Sequence, residues 1–302
     1  MSAGRGPFLT PVHGTNREVF GPPEWGLFVT AGLGFGSAFV FIALALGSLS
    51  PAVITWIRAG AGAIAILAFP QARRPIERAD RWRIVLLSFV LVVLPLTLVP
   101  ISLQWIDSAL VGMLGGAMPI LATLIASFLM RTAPRRNQAI GVALGLVGVL
   151  LVSIPSMGQG SAAIAGVGLV LIATGSYAFA LNLAAPLQRK YGSATIMARC
   201  LLISAFITAP YAWVARGHSV FDWGAILAIV IVGAFSTGLA SVALGSLIGR
   251  AGAARASIVA YLVPVVAVVL GVLVRNESIN IVEAAGIATI LVGAWLTSRT
   301  DL

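Results

Sequence analysis

Two arginines lie inside otherwise apolar stretches of the sequence. Arg58 and Arg199 are each flanked by long runs of aliphatic residues. A guanidinium within an apolar segment is costly, so it is by default a functional hypothesis. Each arginine, however, falls within two turns of the start of its run, and its long side chain could reach an aqueous interface. We favour a shared structural role, with a functional role as the alternative.

Two prolines form a second pair of chemically informative residues. Pro119 and Pro264 each lie in the middle of an apolar run, and Gly115 and Gly116 precede the first. A proline in a helix removes a backbone hydrogen bond and kinks the helix. The exposed donors and acceptors could hold the carboxylate and ammonium groups of a zwitterion without a charged side chain. The alternative interpretation is a hinge or a packing kink.

Polar and aromatic side chains inside the apolar runs are further candidates for a substrate-binding cavity. The substrate-binding set, besides the two prolines, is Phe35, Ser37, Phe39, Thr97, Trp105, Tyr177, Asn182, Ser241, Ser246 and Tyr261. Ser102, Gln104, Ser176 and Thr237 are polar residues of the same kind. Hydroxyl groups of this type often bond their own helix or a neighbouring one instead. Trp105 could equally be an interfacial anchor.

No pattern in the sequence indicates an enzyme, a metal site or a cofactor. There is no phosphate-binding loop of the Gly-x-x-x-x-Gly-Lys type, so ATP is not expected to drive the protein directly. The two histidines, His13 and His218, are far apart, and no cluster supplies the three or four ligands of a metal. The single cysteine, Cys200, is expected to be a small buried apolar residue.

The composition explains why the candidates stand in apolar runs. Apolar residues make up 59% of the 302 residues, charged residues make up 9%, and the mean hydropathy is +1.04. A soluble chain carries about 25% charged residues. The sequence therefore predicts an integral membrane protein whose partner is the lipid bilayer. The net charge of +10 does not indicate nucleic acid, because most arginines lie in short loops between the runs.

Ten runs have about the length that a helix needs to cross a bilayer. They cover residues 25–47, 52–69, 83–102, 108–130, 139–154, 164–185, 195–214, 223–247, 254–274 and 281–297. We therefore predict an all-α integral membrane protein with ten transmembrane helices, preceded by a flexible cytoplasmic tail over residues 1–24.

The distribution of basic residues predicts the orientation. If the N-terminus is cytoplasmic, fifteen of the nineteen basic residues fall on the inside and two, Arg216 and Arg275, fall on the outside. The remaining two are the arginines within runs. Basic residues are enriched in cytoplasmic loops. We therefore predict that both termini are cytoplasmic.

The chain also repeats itself. A shift of 145 residues places Pro119 on Pro264, and it places Gly141 on Gly286 and Gly148 on Gly293. Earlier in each half the shift is slightly smaller, and Arg58 corresponds to Arg199. Two halves of five helices, 25–154 and 155–302, must enter the membrane from opposite sides. Such an inverted repeat is typical of transporters.

Several motifs resemble those of one transporter group. They are Phe35-Gly36-Ser37, Ser50-Pro51 followed by Arg58, Ser102-Leu103-Gln104-Trp105, Gly252 to Ser257, Tyr261-Leu262-Val263-Pro264 and Asn276-Glu277. With these motifs, residues 25–298 resemble the EamA-type ten-helix exporters of the drug/metabolite transporter superfamily. The chain departs from that pattern at Thr132, which occupies the slot that Glu277 fills in the second half. The aromatic residues common in helix 8 are also missing over residues 241–246.

The resemblance implies export of amino acids and related metabolites. We expect a secondary exporter of small metabolites, most of all neutral or aromatic amino acids, that works by alternating access in the bacterial inner membrane. The alternatives are a multidrug or nucleoside exporter and a non-transporting receptor or scaffold. All nine acidic residues fall in tails, loops or first helical turns, which predicts transport without proton coupling. Glycines at 141, 145, 148, 286 and 293 predict close packing of helices 5 and 10 and could also serve a homodimer contact.

Overall fold

The computed structural model describes residues 21–130, 136–158, 160–251, 256 and 259–298, and it contains helices and no strands over these ranges. Residues 1–20 of the predicted tail, Thr132 and most of the Gly252 to Ser257 motif lie outside the described residues. The helices are α1 Pro22–Ala45, α2 Pro51–Leu67, α3 Arg81–Ser88, α4 Leu94–Ser102, α5 Ser108–Gly115, α6 Met118–Met130, α7 Arg136–Met157, α8 Ser161–Tyr191, α9 Ser193–Ala215, α10 Trp223–Ile231, α11 Ala240–Ala251, α12 Val259–Arg275 and α13 Ile281–Ser298.

These helices coincide with the predicted apolar runs to within a few residues. Seven helical spans of the described ranges are long and apolar enough to cross a membrane, and three shorter apolar helices, Pro51–Leu67, Val259–Arg275 and Ile281–Leu296, accompany them. The prediction of an all-helical membrane protein is confirmed. That all ten segments cross the bilayer, with both termini cytoplasmic, stays a prediction.

Two helices contain a π-helical segment that the sequence did not predict. The first, Phe89–Val93, joins α3 to α4, and the second, Val232–Leu239, joins α10 to α11. Their starting residues differ by 143 positions, so each interrupts the third predicted run of its half. A π segment widens the helix by one residue and frees backbone groups, and it often marks a functional region.

The fourth run is broken, as its proline and glycines suggested, whereas its counterpart is not. α5 ends at Gly115 and α6 begins at Met118, which puts Pro119 in the first turn of α6. Proline is tolerated there because a first-turn N–H has no intrahelical partner. Pro264 is buried within the continuous helix α12. The expectation of a mid-helix proline in both halves is therefore wrong for Pro119.

Glycines bring α7 and α13 into backbone contact. A Cβ at Gly148 would lie 2.6 Å from the backbone nitrogen of Ile290, and one at Gly293 would lie 2.6 Å from the carbonyl oxygen of Gly141. A Cβ at Gly286 would lie 2.8 Å from the nitrogen of Val152. The predicted close packing of these two helices is confirmed. These glycines face the partner helix of the same chain.

Candidate functional site

Arg58 lies in the middle of the 17-residue helix α2, and its side chain is buried. The residue is 7% exposed, and its Nε donates a hydrogen bond of 2.8 Å to the hydroxyl of Thr237. The expectation that this side chain could reach an aqueous interface is therefore wrong for Arg58. Thr237 belongs to the second π segment, so α2 and this segment together hold the guanidinium inside the bundle.

Close backbone packing explains how Thr237 reaches Arg58. A Cβ at Gly233 would lie 2.7 Å from the carbonyl oxygen of Arg58, and one at Gly62 would lie 2.8 Å from the carbonyl oxygen of Gly233. Only residues without a side chain allow two helices to approach this closely. Gly233 therefore fixes the distance between Arg58 and the second π segment.

Tyr177 of α8 is partly buried and lies within electrostatic range of Arg58, although no hydrogen bond between these two described side chains is recorded. A phenolic hydroxyl can donate or accept a hydrogen bond, and a guanidinium only donates. The three residues Arg58, Thr237 and Tyr177 form the Arg58 cluster, which combines side chains from both halves of the chain.

The repeat-related arginine has different surroundings. Arg199 of α9 is partly buried, and its Nη2 donates a hydrogen bond of 3.4 Å to the carbonyl oxygen of Arg74 in the loop before α3. Its guanidinium therefore reaches a loop, as the interfacial interpretation expects. The two arginines correspond in sequence position but not in environment.

Several predicted cavity residues hydrogen-bond their own helix instead. The hydroxyl of Thr97 donates to the carbonyl of Val93 at 2.7 Å, and the amide of Asn182 donates to the carbonyl of Ala178 at 3.1 Å. The hydroxyl of Ser37 donates to Gly34 at 3.2 Å. Such local bonds satisfy the polar group without a ligand.

The aromatic candidates are spread over the bundle. Phe35 packs in a small apolar cluster with α11 and α12, whereas Phe39 and Tyr261 pack against the main core. Trp105 is 42% exposed in the loop between α4 and α5. Phe39 and Tyr261 therefore share one core, and Phe35 lies one turn from Phe39 on α1. Trp105 lies outside that core.

Ser37 also lines an apolar groove of about 310 Å³ between α1, the second π segment and α12. Its other walls include Leu33, Phe235 and Val265, each more than a third exposed. Ser241 and Ser246 of α11 are partly buried, and Gly245 between them packs against Ser193. Ser241 follows Thr237 of the Arg58 cluster by four residues, about one helical turn. No hydrogen bond among the described residues joins Ser37 or Ser246 to that cluster.

A buried carboxylate closes one end of the bundle. Glu277 is 8% exposed and accepts hydrogen bonds from the backbone nitrogens of Ser108 and Ala109, at 3.0 and 2.8 Å, and from the Ser108 hydroxyl at 2.6 Å. Arg275 pairs with it at 3.1 Å. The carboxylate thus caps α5, and it opposes the positive N-terminal end of the helix dipole. Sequence reasoning missed this role, although the Asn276-Glu277 motif was its signal.

Asp107 lies next to this cap in the loop that precedes α5. Its pKa is raised by partial desolvation and by the nearby Glu277 carboxylate, while Arg275 acts in the opposite direction. Its own side chain makes no capping hydrogen bond to α5. Asp107 is therefore the acidic residue to test first if transport proves to be coupled to protons.

The two halves are tied together at one end of α2 by hydroxyl groups. The Ser48 hydroxyl donates to Asp222 at 2.9 Å, and the Ser50 backbone nitrogen donates to the Ser219 hydroxyl at 2.9 Å. The pKa of Asp222 is lowered by the Ser48 hydroxyl and by backbone N–H groups of α10. We call these four residues the Asp222 contact.

At the other end of α2 the halves are tied together by charges. Lys190 pairs with Asp80 at 2.8 Å and with Glu77 at 2.7 Å, and the Tyr191 hydroxyl donates to Asp80 at 2.7 Å. We call these four residues the Asp80 contact. Asp80 and Asp222 each precede the third helix of their half, so the two contacts are equivalent in the repeat.

Comparisons with known proteins agree with this architecture. Residues 25–154 and 164–299 each match the EamA-like transporter family. The chain is 23% identical over 273 residues to the uncharacterized transporter YoaV of Bacillus subtilis, which covers 88% of this chain and 93% of that protein. It is also 23% identical over 195 residues to an uncharacterized transporter of Archaeoglobus fulgidus, which covers 65% of this chain and 69% of that protein.

A solved crystal structure of another protein shares the fold. It matches with a TM-score of 0.64 and 17% sequence identity, over 91% of this chain and 96% of the other. The family match covers nearly all of the chain, and it includes both segments that carry the Arg58 cluster. The chain therefore belongs to the EamA-like transporter family of the drug/metabolite transporter superfamily.

Proposed function

We propose that the protein is a secondary transporter that exports small metabolites, with neutral and aromatic amino acids as the first class to test. Membership of the family supports transport, and the names of the two relatives state no substrate. In this proposal the transporter lies in a bacterial inner membrane and consists of two inverted halves of five helices each, with both termini cytoplasmic.

One observation carries the proposal of alternating access. The Asp222 contact and the Asp80 contact join the same two halves at opposite ends of α2, and they are equivalent in the repeat. In the proposed topology the first lies outside and the second lies inside. A transporter that opens to one side at a time must break one such contact while it keeps the other. The Arg58 cluster lies between them, where a substrate would be enclosed.

The test is transport by the purified protein in liposomes. We expect counterflow of labelled phenylalanine or another neutral amino acid when the liposomes are preloaded with the same compound. Nucleosides and cationic dyes, assayed in parallel, distinguish the other exporter classes. A well-folded protein that moves none of these compounds would leave the receptor or scaffold function as the better explanation.

A second experiment tests whether the Asp222 contact opens during transport. Cysteines that replace Ser48 and Asp222 should form a disulfide that stops transport, and a reductant should restore the rate. The matched control places cysteines at Ser161 and Ala162, two neighbouring exposed positions at the start of α8. If cross-linked protein still transports at the original rate, the Asp222 contact does not open during the cycle.

A further inference from the structure

We propose that the Arg58 cluster binds the carboxylate group of the transported solute. The inference rests on the proposed transport function and names the substrate class: organic carboxylates without net positive charge, including zwitterionic amino acids. Arg58 binds the carboxylate, and Thr237 orients the guanidinium by accepting a hydrogen bond from Nε.

Arg58 has no counter-charge among the described residues. The acidic residues of the described ranges lie in loops or at helix ends, and the ion pairs there use Arg83, Lys190, Arg250 and Arg275. Arg58 takes part in none of them. A cation buried in the middle of a membrane helix normally pairs with another charge or faces a polar pathway. Since the described chain offers no anion, a ligand that carries one is the natural partner.

The described residues hold the guanidinium of Arg58 through only one of its three nitrogens. The one hydrogen bond recorded for Arg58 within the described residues uses Nε, and it goes to a neutral hydroxyl. The two terminal nitrogens keep their N–H donors. A planar guanidinium binds a carboxylate through two parallel hydrogen bonds, which gives both strength and orientation. Thr237 fixes the plane of the group, because its oxygen accepts the Nε hydrogen bond.

The positive charge of Arg58 should also select among solutes. No described carboxylate lies beside Arg58 and Thr237 to receive an ammonium group. A solute with net positive charge would meet like charge in a region of low dielectric constant. Polyamines, basic amino acids and quaternary ammonium compounds should therefore be excluded, which separates this protein from exporters of cationic drugs.

Arg199 provides a matched control. It is the repeat-related arginine in the second helix of the other half, and its guanidinium reaches the carbonyl oxygen of Arg74 instead. If any arginine in the second helix of a half merely stabilises the fold, the two substitutions Arg58→Gln and Arg199→Gln should behave alike. If Arg58 binds substrate, they should differ.

The experiment compares ligands that differ only in their charge. The purified protein is melted with each neutral amino acid, with phenylacetate as a simple monocarboxylate, and with the amide of every carboxylate tested. We expect a carboxylate to raise the melting temperature and its amide to leave it unchanged. Arg58→Gln should weaken carboxylate binding about 100-fold, Arg58→Lys should weaken it about 10-fold, and Arg199→Gln should leave it unchanged.

Stability of the ligand-free variants separates binding from folding. An unpaired buried charge that serves a ligand costs stability, so Arg58→Gln should melt at or above the temperature of the unsubstituted protein. A lower melting temperature, equal binding of carboxylate and amide, or preferred binding of a cation would overturn the inference. Transport of a neutral non-carboxylate by the liposomes would overturn it while leaving the transport function intact. Failure of all compounds in the liposomes, with carboxylate binding retained, would instead overturn the proposed function.

Discussion

Glu277 shows how one side chain can fix the position of a whole helix. Its carboxylate meets the backbone N–H groups at the start of α5, and every residue from Ser108 to Leu114 is buried. A helix enclosed on all sides cannot satisfy its first N–H groups with water. The distant carboxylate, 169 positions along the chain from Ser108, therefore supplies the missing acceptor.

Replacing Glu277 with Ala should destabilise the protein by about 3 kcal/mol, because three donors and the Arg275 guanidinium lose their partner. Glu283 is the matched control, since it only completes an exposed capping box with Asn280 at the start of α13. Glu283→Ala should cost about 1 kcal/mol. A thiol-reactive dye that follows the exposure of buried Cys200 on heating measures both. Equal melting temperatures for the two variants would contradict the buried cap.

Among the elements, the α7–α13 pair depends most directly on the absence of side chains. Gly148→Ala should destabilise the protein by about 2 kcal/mol, since its new Cβ would lie 2.6 Å from the Ile290 nitrogen and two backbones would have to separate. Gly168→Ala in α8 is the control, because a Cβ there meets no atom within 4 Å. It should be neutral or slightly stabilising. Thermal unfolding of both proteins checks the difference, and an unaffected Gly148→Ala variant would contradict the contact.

Pro119 at the start of α6 and Pro264 inside α12 are both expected to affect transport. Replacing Pro119 and Pro264 together with Ala should slow transport while expression stays nearly normal, because Pro264→Ala restores a backbone hydrogen bond inside α12 and Pro119→Ala removes the fixed φ angle at the start of α6. Pro210→Ala is the control: this proline is also inside a helix, but it is exposed on the outside of α9. Liposome transport rates check the prediction. Unchanged rates in the double variant would remove both the binding and the hinge interpretations.

The helices could be predicted from sequence because each needs only a run of apolar residues. The π segments could not be predicted in this way. Gly233 and Gly238 look like ordinary small helix residues, and only the structure shows that both pack against α2, at Arg58 and Gly62. Arg58 could be identified as a candidate from sequence, but its surroundings could not be predicted, because its partner Thr237 is 179 positions away in the chain.

At the scale of the whole molecule, the proposed orientation is directly testable. After Cys200 is replaced, a single cysteine at Ala162 should react with a membrane-impermeant thiol reagent on intact cells, and one at Arg74 should not. Both positions are exposed in the structure, so accessibility differs only by side. Labelling after permeabilisation is the control and should reach both. Equal labelling of intact cells would overturn the assignment of inside and outside.

The placement of the acidic residues predicts how transport is driven. The acidic groups of the described ranges lie at helix ends or in loops, and an arginine does not release its proton. A pH gradient imposed on liposomes without a substrate gradient should therefore produce no accumulation. Uphill accumulation that a protonophore abolishes would contradict this expectation. In that case Asp107→Asn is the first variant to assay, because the pKa of Asp107 is raised by desolvation and by Glu277.

The unpaired charge of Arg58 also makes the empty carrier sensitive to the membrane voltage. Moving one charge through a full potential of about 100 mV changes the free energy by about 2.3 kcal/mol. A bacterial cell is negative inside, so the potential favours the unloaded site when it faces the cytoplasm. A bound monocarboxylate cancels this charge, so the loaded step becomes insensitive to voltage, whereas a bound zwitterion leaves the site with its net positive charge. For an anionic solute, the potential would thus return the empty carrier to load from within and drive the solute outward.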